Sequence, residues 1–134
     1  MKSGGTEVFF EIKYTEAGFG KCDNDNRHEE KFKRIYAGLI DKCPATEGSI
    51  TFNDEFRNNY QLFRNSIRAT GKNKYVIFIY EENNQYCKQQ LDEFLEKFIT
   101  DDYKNKNIIG ITWQDFVRNS TSSHKVEFIK KYLS

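Results

Sequence analysis

The sequence predicts an α/β layer protein, because strand-type and helix-type segments alternate along its 134 residues. Three observations carry that prediction. "VFFEIKY", 8–14, is β-branched and aromatic, with alternating faces. "YVIFIY", 75–80, is a continuous apolar run between polar residues, as expected of a strand buried on both faces. Between and after them, apolar residues recur at intervals of three and four, the helical period.

Residues 1–6 are short, small and polar and read as a leader. Residues 7–14 form the first strand, with Val8, Phe10, Ile12 and Tyr14 on one face and Glu7, Phe9, Glu11 and Lys13 on the other. Gly18, Gly20 and "CDNDN" mark a loop, and "GFGK" within it reads as a turn because it lacks P-loop spacing. A helix follows over about 27–41, carrying Phe32, Ile35, Tyr36 and Leu39 inward until Pro44 and Gly48 break the chain. A second spans about 53–69, with an Asn or Asp N-cap, an apolar stripe Phe56, Tyr60, Phe63 and Ile67, and a closing Gly71.

After the buried strand, a helix over about 84–99 turns Cys87, Leu91, Phe94, Leu95 and Phe98 inward. "NIIGIT", 107–112, is a third strand, and Thr112 with Asp115 resembles a capping box opening a short helix at "WQDFV". Trp113 reads as a packing anchor. Ser122 or Ser123 caps a last helix carrying Val126, Phe128, Ile129 and Tyr132.

The length suits one domain, 1–134. Its charge is balanced, 21 basic against 20 acidic residues, so the total points to no partner class. Cys22, Cys43 and Cys87 are widely spaced with no CxxC pair, which argues for free thiols rather than a disulfide scaffold or zinc ribbon. Cys22 and His28 are isolated candidate metal ligands, and His28 and His124 read as surface residues. No apolar run spans a bilayer and no secretory signal is visible, so the expected location is cytoplasmic.

Glu11 and Lys13 are the pair that carries chemistry. Residues two apart in a strand project to the same side about 6.6 Å apart, so both address one small volume. The carboxylate is a hard ligand suited to Mg²⁺ or Mn²⁺, the Ile12 carbonyl offers another oxygen, and the ammonium can orient a water or stabilise phosphate charge. Taken alone, E-x-K is equally an ordinary ion pair. Local charge adds a second signal. From Phe56 to Tyr75 there are five basic residues and no acid, whereas 81–102 holds seven acids against Lys88 and Lys97. Arg57, Gln61, Arg64 and Arg68 form a polar stripe beside the apolar one, and with Lys72 could hold a nucleic-acid backbone. The bland alternative is a solvated helix face.

The order "FEIKY", "YQLFRN", "YVIFIYEE" and "IIGITWQDF" resembles the PD-(D/E)xK nuclease superfamily, notably a group of restriction-type endonucleases with "EIKYTE"-like strands. The likeness covers most of the chain from residue 7 onward. It implies a restriction endonuclease-like mixed sheet flanked by helices, in a truncated version, and Mg²⁺-dependent hydrolysis of DNA phosphodiesters. It further implies Glu11 and the Ile12 carbonyl as metal ligands, Lys13 at the water, and Gln61 reaching the site from its helix. In some relatives a helix glutamate, here Glu29 or Glu30, supplements the metal.

One departure matters. The family has an aspartate ligand upstream of E-x-K, and none of the ten residues before Glu11 is Asp. Glu7 lies roughly 13 Å away along the strand, too far to substitute. The expectation is therefore a nuclease domain incomplete or inactive by itself, with a partner or second copy supplying what is missing. An exposed sheet edge along 7–14 would favour a homodimer. The alternative is a non-catalytic module that retains the fold and binds nucleic acid or protein.

Overall fold

The computed structural model describes residues 2–3, 5–13 and 18–119, without the side chains of residues 2, 3 and 119. Four strands form a single mixed sheet in the order β1 (Lys2–Ser3), β2 (Thr6–Lys13), β3 (Lys74–Tyr80) and β4 (Ile108–Thr112). β2, β3 and β4 run parallel, while β1 pairs antiparallel with the first two residues of β2. The residues read as a leader thus supply a short edge strand. The expected α/β restriction endonuclease-like architecture is what forms: a three-stranded parallel core sheet with helices on its faces.

Parallel register places Phe9, Val76 and Ile108 in one row and Glu11, Phe78 and Gly110 in the next. The alternation read from the sequence holds. Val8 packs with Ile77, Ile79, Ile109 and Ile111 on one face, and Phe9 joins the larger core on the other. β3, in the middle, is buried on both faces from Val76 to Tyr80.

Helix α1 covers 26–42 and contains a π-helical segment, Phe32–Tyr36, between α-helical Asn26–Lys31 and Ala37–Lys42. This segment corrects the predicted stripe. The wider turn, in which the Ala37 N–H bonds to the Phe32 carbonyl, aligns residues four apart on one face. Phe32, Tyr36 and Ile40 therefore face the core, and Ile35 and Leu39 face solvent. The first turn is capped by Asp25, whose carboxylate accepts from the His28 N–H at 2.8 Å. That bond, then a second with the His28 ring, holds the Asp25 carboxyl below its ordinary range. His28 is accordingly half-buried, with its ring against Tyr60, rather than a plain surface residue.

Helix α2 covers 52–66: π-helical Phe52–Phe56, a 3-10 turn at Arg57–Asn59, and α-helical Tyr60–Ser66. It starts after Thr51, not at an Asn or Asp cap. Glu55 reaches back and accepts from the Thr51 N–H at 2.8 Å. The helix also stops at Ser66, short of the expected end near Ala69. Helix α3, Gln85–Phe98, buries Cys87, Leu91, Phe94, Leu95 and Phe98, the predicted set. Gly110 on β4 lets it come close, since a Cβ there would stand 2.2 Å from Leu91 Cδ2. Helix α4, Trp113–Asn119, starts as predicted, with Thr112 Oγ1 accepting from the Asp115 N–H at 3.1 Å. It stacks Trp113 on Phe116 and sets Phe116 edge-on to Phe10, closing the smaller core. The helix expected after Ser122 lies outside the described residues.

Phe56 and Phe63 join the helices. Phe56 contacts Phe32, Tyr36 and Phe52, and Phe63 contacts Phe56, Phe94 and Phe98, at ring-centroid distances of 4.7–6.4 Å. Because Phe63 is fully buried at this junction, Phe63→Ala is expected to cost about 3–5 kcal/mol. A urea titration followed by circular dichroism measures it; a loss below about 1 kcal/mol would place the core elsewhere.

Candidate functional site

The site is assembled where α2 crosses β2. Arg68 lies over Phe9, with its guanidinium carbon 5.1 Å from the ring centroid. Asn65 donates from Nδ2 to Glu11 Oε2 at 3.4 Å. Gln61 meets the chain beyond Lys13, at Gly20. The helix therefore runs against the strand direction, with residues 68, 65 and 61 tracking 9, 11 and 20. Gln61 and Asn65, four apart, share one helix face, and Arg68 follows in the turn after Ser66.

Glu11 and Lys13 share the face and the volume that their spacing predicted. Lys13 Nζ stands 3.5 Å from Glu11 Oε1, with 9% of the lysine side chain and 25% of the glutamate side chain exposed. The pair occupies the carboxyl-terminal end of a parallel strand, the end at which open α/β sheets bind ligands. Lys13 pairs in register with Tyr80, whose phenol is pushed up by burial and then by Asp92.

The return loop is fastened on both sides of Phe19. Gln90 Oε1 accepts from the Phe19 N–H at 2.9 Å, and Gln90 Nε2 donates to the Phe19 carbonyl at 3.2 Å. Gln61 Oε1 accepts from the Gly20 N–H at 2.8 Å, and the Gln61 N–H donates to the Gly20 carbonyl at 3.0 Å. Both glycines are explained by close approach: a Cβ on Gly18 would stand 2.4 Å from the Tyr86 ring, and one on Gly20 2.6 Å from Gln61 Cδ. Phe19 is buried edge-on to Phe78, the register partner of Glu11. "GFG" is thus a plug held by two amides, more than a simple turn.

The basic residues separate. Arg64 on α2 and Arg68 in the turn after it are exposed, with Arg64 6.0 Å from the Tyr60 ring centroid. Arg57 turns toward the Cys22 loop: its carbonyl accepts from the Cys22 N–H, and its Nε is buried with no hydrogen-bond partner among the described residues. Burial pushes the Cys22 thiol up, against the opposing pull of Arg57. Lys72 donates to the Asp102 carbonyl and lies 4.4 Å from the Tyr103 ring centroid. It precedes β3, so the strand places it roughly 20 Å from the Lys13 end of the sheet.

The donor set does not by itself make a divalent-cation centre. Glu11 and the Ile12 carbonyl are hard oxygens, and strand alternation turns Ile12 toward the outer edge, away from β3. A hard cation takes six or more oxygens, usually from more than one carboxylate. Among the described residues no three acidic, histidine or cysteine side chains gather around a point. Glu7 is held by Lys74 at 2.7 Å, and Glu29 by Lys33 at 3.6 Å. Both Glu11 oxygens already face protein donors, Lys13 and Asn65. Cys22 and His28 form no metal cluster either.

A family model described as Restriction Endonuclease associating with ARP matches residues 1–133. The chain belongs to that family. No curated protein and no solved structure matches it. For a restriction endonuclease family member, the arrangement of E-x-K on a sheet under a helix bearing Gln61 is the natural focus. Asn65, the neighbour of Glu11, was not singled out from the sequence. Its signal was present as the position four after Gln61 on the same helix face.

Gln61 carries the loop clamp, so Gln61→Ala is expected to speed amide exchange at Gly20 by ~10-fold or more, with the sheet amides unchanged. Hydrogen exchange followed by NMR reads this directly, and an unchanged Gly20 rate would remove Gln61 from the clamp.

Proposed function

We propose that this chain is a PD-(D/E)xK-type nuclease domain that acts on DNA phosphodiesters. Glu11 and Lys13 form its hydrolytic pair, and Arg64 and Arg68 its main contacts to the backbone. The observation that carries this reading is the Lys13 ammonium, on a nearly buried side chain, set 3.5 Å from Glu11 at the carboxyl end of a parallel strand, in a chain of a restriction endonuclease family. An ammonium held in one place by a buried stem attracts a phosphoryl oxygen and can orient a water toward phosphorus. Glu11 holds it in place. Arg68, packed on Phe9 two residues before Glu11, extends the positive surface from Arg64 beyond the end of the helix.

Mg²⁺ or Mn²⁺ belongs to this proposal only with a further carboxylate from outside the described residues, because the donor set above is one carboxylate short. The family description names association with ARP, which makes a protein partner a natural source. A second copy meeting the outer edge of β2 is another, since β1 pairs with Thr6 and Glu7 alone. The occupied state of both Glu11 oxygens also favours a second reading, a module that binds DNA or protein without cutting.

A cleavage assay on plasmid DNA with Mg²⁺ or Mn²⁺, with and without the family's partner, separates the two. Glu11→Ala and Lys13→Ala are each expected to lower the cleavage rate on the order of 100-fold. Cleavage that survives both substitutions removes the pair from catalysis, and salt-sensitive binding without cleavage supports the second reading. Independently, Arg64→Ala and Arg68→Ala should each reduce the slope of log affinity against log salt by about 1. Fluorescence anisotropy across a salt series measures the slope, and an unchanged slope takes these arginines off the backbone.

A further inference from the structure

The geometry points to Asn65 as a positioning residue that fixes the Glu11 carboxylate to the backbone of α2; this rests on the nuclease reading only for its catalytic consequence. Asn65 Nδ2 donates both to the Gln61 carbonyl at 2.9 Å and to Glu11 Oε2 at 3.4 Å. The amide's orientation follows from chemistry. A main-chain carbonyl only accepts, so the NH₂ end must face Gln61, and its other proton is then directed at the carboxylate.

The Gln61 peptide is not free to follow Asn65. Its N–H donates to the Gly20 carbonyl at 3.0 Å, and its side chain holds the Gly20 N–H. Glu11 is thereby tied, through Asn65 and Gln61, to the same loop that returns from Lys13. Lys13 takes the other oxygen of the carboxylate. With one oxygen on the lysine and one on the amide, the carboxylate plane is set by groups on two different elements. A glutamate at a strand end, with three side-chain torsions, otherwise samples several rotamers.

The same juxtaposition identifies position 65 as the place from which a second carboxylate would reach Glu11. Asn65→Asp replaces the donor with an acceptor of nearly the same shape, and two facing carboxylates make a site for a divalent cation. Isothermal titration with Mn²⁺ tests this without any cleavage. Asn65→Asp is expected to bind Mn²⁺ at least ~10-fold more tightly than the unaltered chain, and adding Glu11→Gln is expected to cancel the gain. No gain, or a gain that survives Glu11→Gln, overturns the proposed contact. Should Asn65→Asp not fold, the side-chain amide signals of Asn65 in the unaltered fold give the same decision: they shift in Glu11→Gln if the contact exists and stay in place if it does not.

Where the unaltered chain cuts DNA, Asn65→Ala is expected to lower kcat on the order of 10- to 100-fold with KM for DNA unchanged. An unchanged kcat, or a loss confined to KM, overturns the positioning role. A chain that cuts nothing, with the family's partner present as well as without it, removes the nuclease reading, and the cation and amide measurements then decide the contact alone.

Discussion

A lysine side chain nine-tenths buried at the open end of a parallel strand, its ammonium beside the Glu11 carboxylate, is the constraint around which the rest of the site is organised. Burial of the lysine stem fixes where its ammonium ends, 3.5 Å from Glu11 Oε1, and Glu11 supplies the counter-charge there. Glu11, with a quarter of its side chain exposed, is held in turn by Asn65. Asn65 needs the Gln61 carbonyl, Gln61 grips Gly20, and that approach leaves no room for a Cβ on residue 20. A local requirement for one counter-charge thus propagates through α2 to the return loop.

The helix can exert this hold because of the core beneath it. Phe56 and Phe63 connect α2 to α1 and α3, and Phe19 closes the gap against Phe78 beside the Glu11 row. The two π-helical segments serve the same packing. Each adds a residue to a turn just where Phe32, Tyr36, Phe52 and Phe56 meet, so that large rings four apart face one another. Their direct effect is on aromatic alignment. The polar line of Gln61, Asn65 and Arg68 begins only after the helix has recovered regular α geometry at Tyr60.

What the sequence made legible were features set by local period. The faces of β2, the doubly buried β3, the inward stripe of α3 and the Thr112 cap each depend on neighbours two to four residues away. The pairing of Glu11 with Lys13 belongs to the same class. Less legible were contacts whose partners are far apart in the chain. Ile35 and Leu39 match a regular helix but lose the core face to the π segment, and nothing in their own spacing announces it. Gly18 and Gly20 look like turn residues because the side chains they accommodate, Tyr86 and Gln61, lie more than forty residues away. The basic residues form one stripe in sequence, yet tertiary structure sends Arg57 to the Cys22 loop and Lys72 to Tyr103, leaving Arg64 exposed on α2 and Arg68 exposed in the turn after it.

The balance of donors around Glu11 separates a strand that resembles a nuclease motif from one that can hydrolyse a phosphodiester. A carboxylate that faces an ammonium and an amide is already neutralised and hydrogen-bonded, and a cation must compete with both before it gains a ligand. A second carboxylate arriving from a partner would change that competition. It could draw Lys13 or Asn65 away from Glu11 while adding an oxygen of its own, and binding of the partner and formation of the cation site would then be thermodynamically linked. Among the described residues, Glu11 is a carboxylate already faced by two donors, and a cation site built on it needs further oxygens from beyond them.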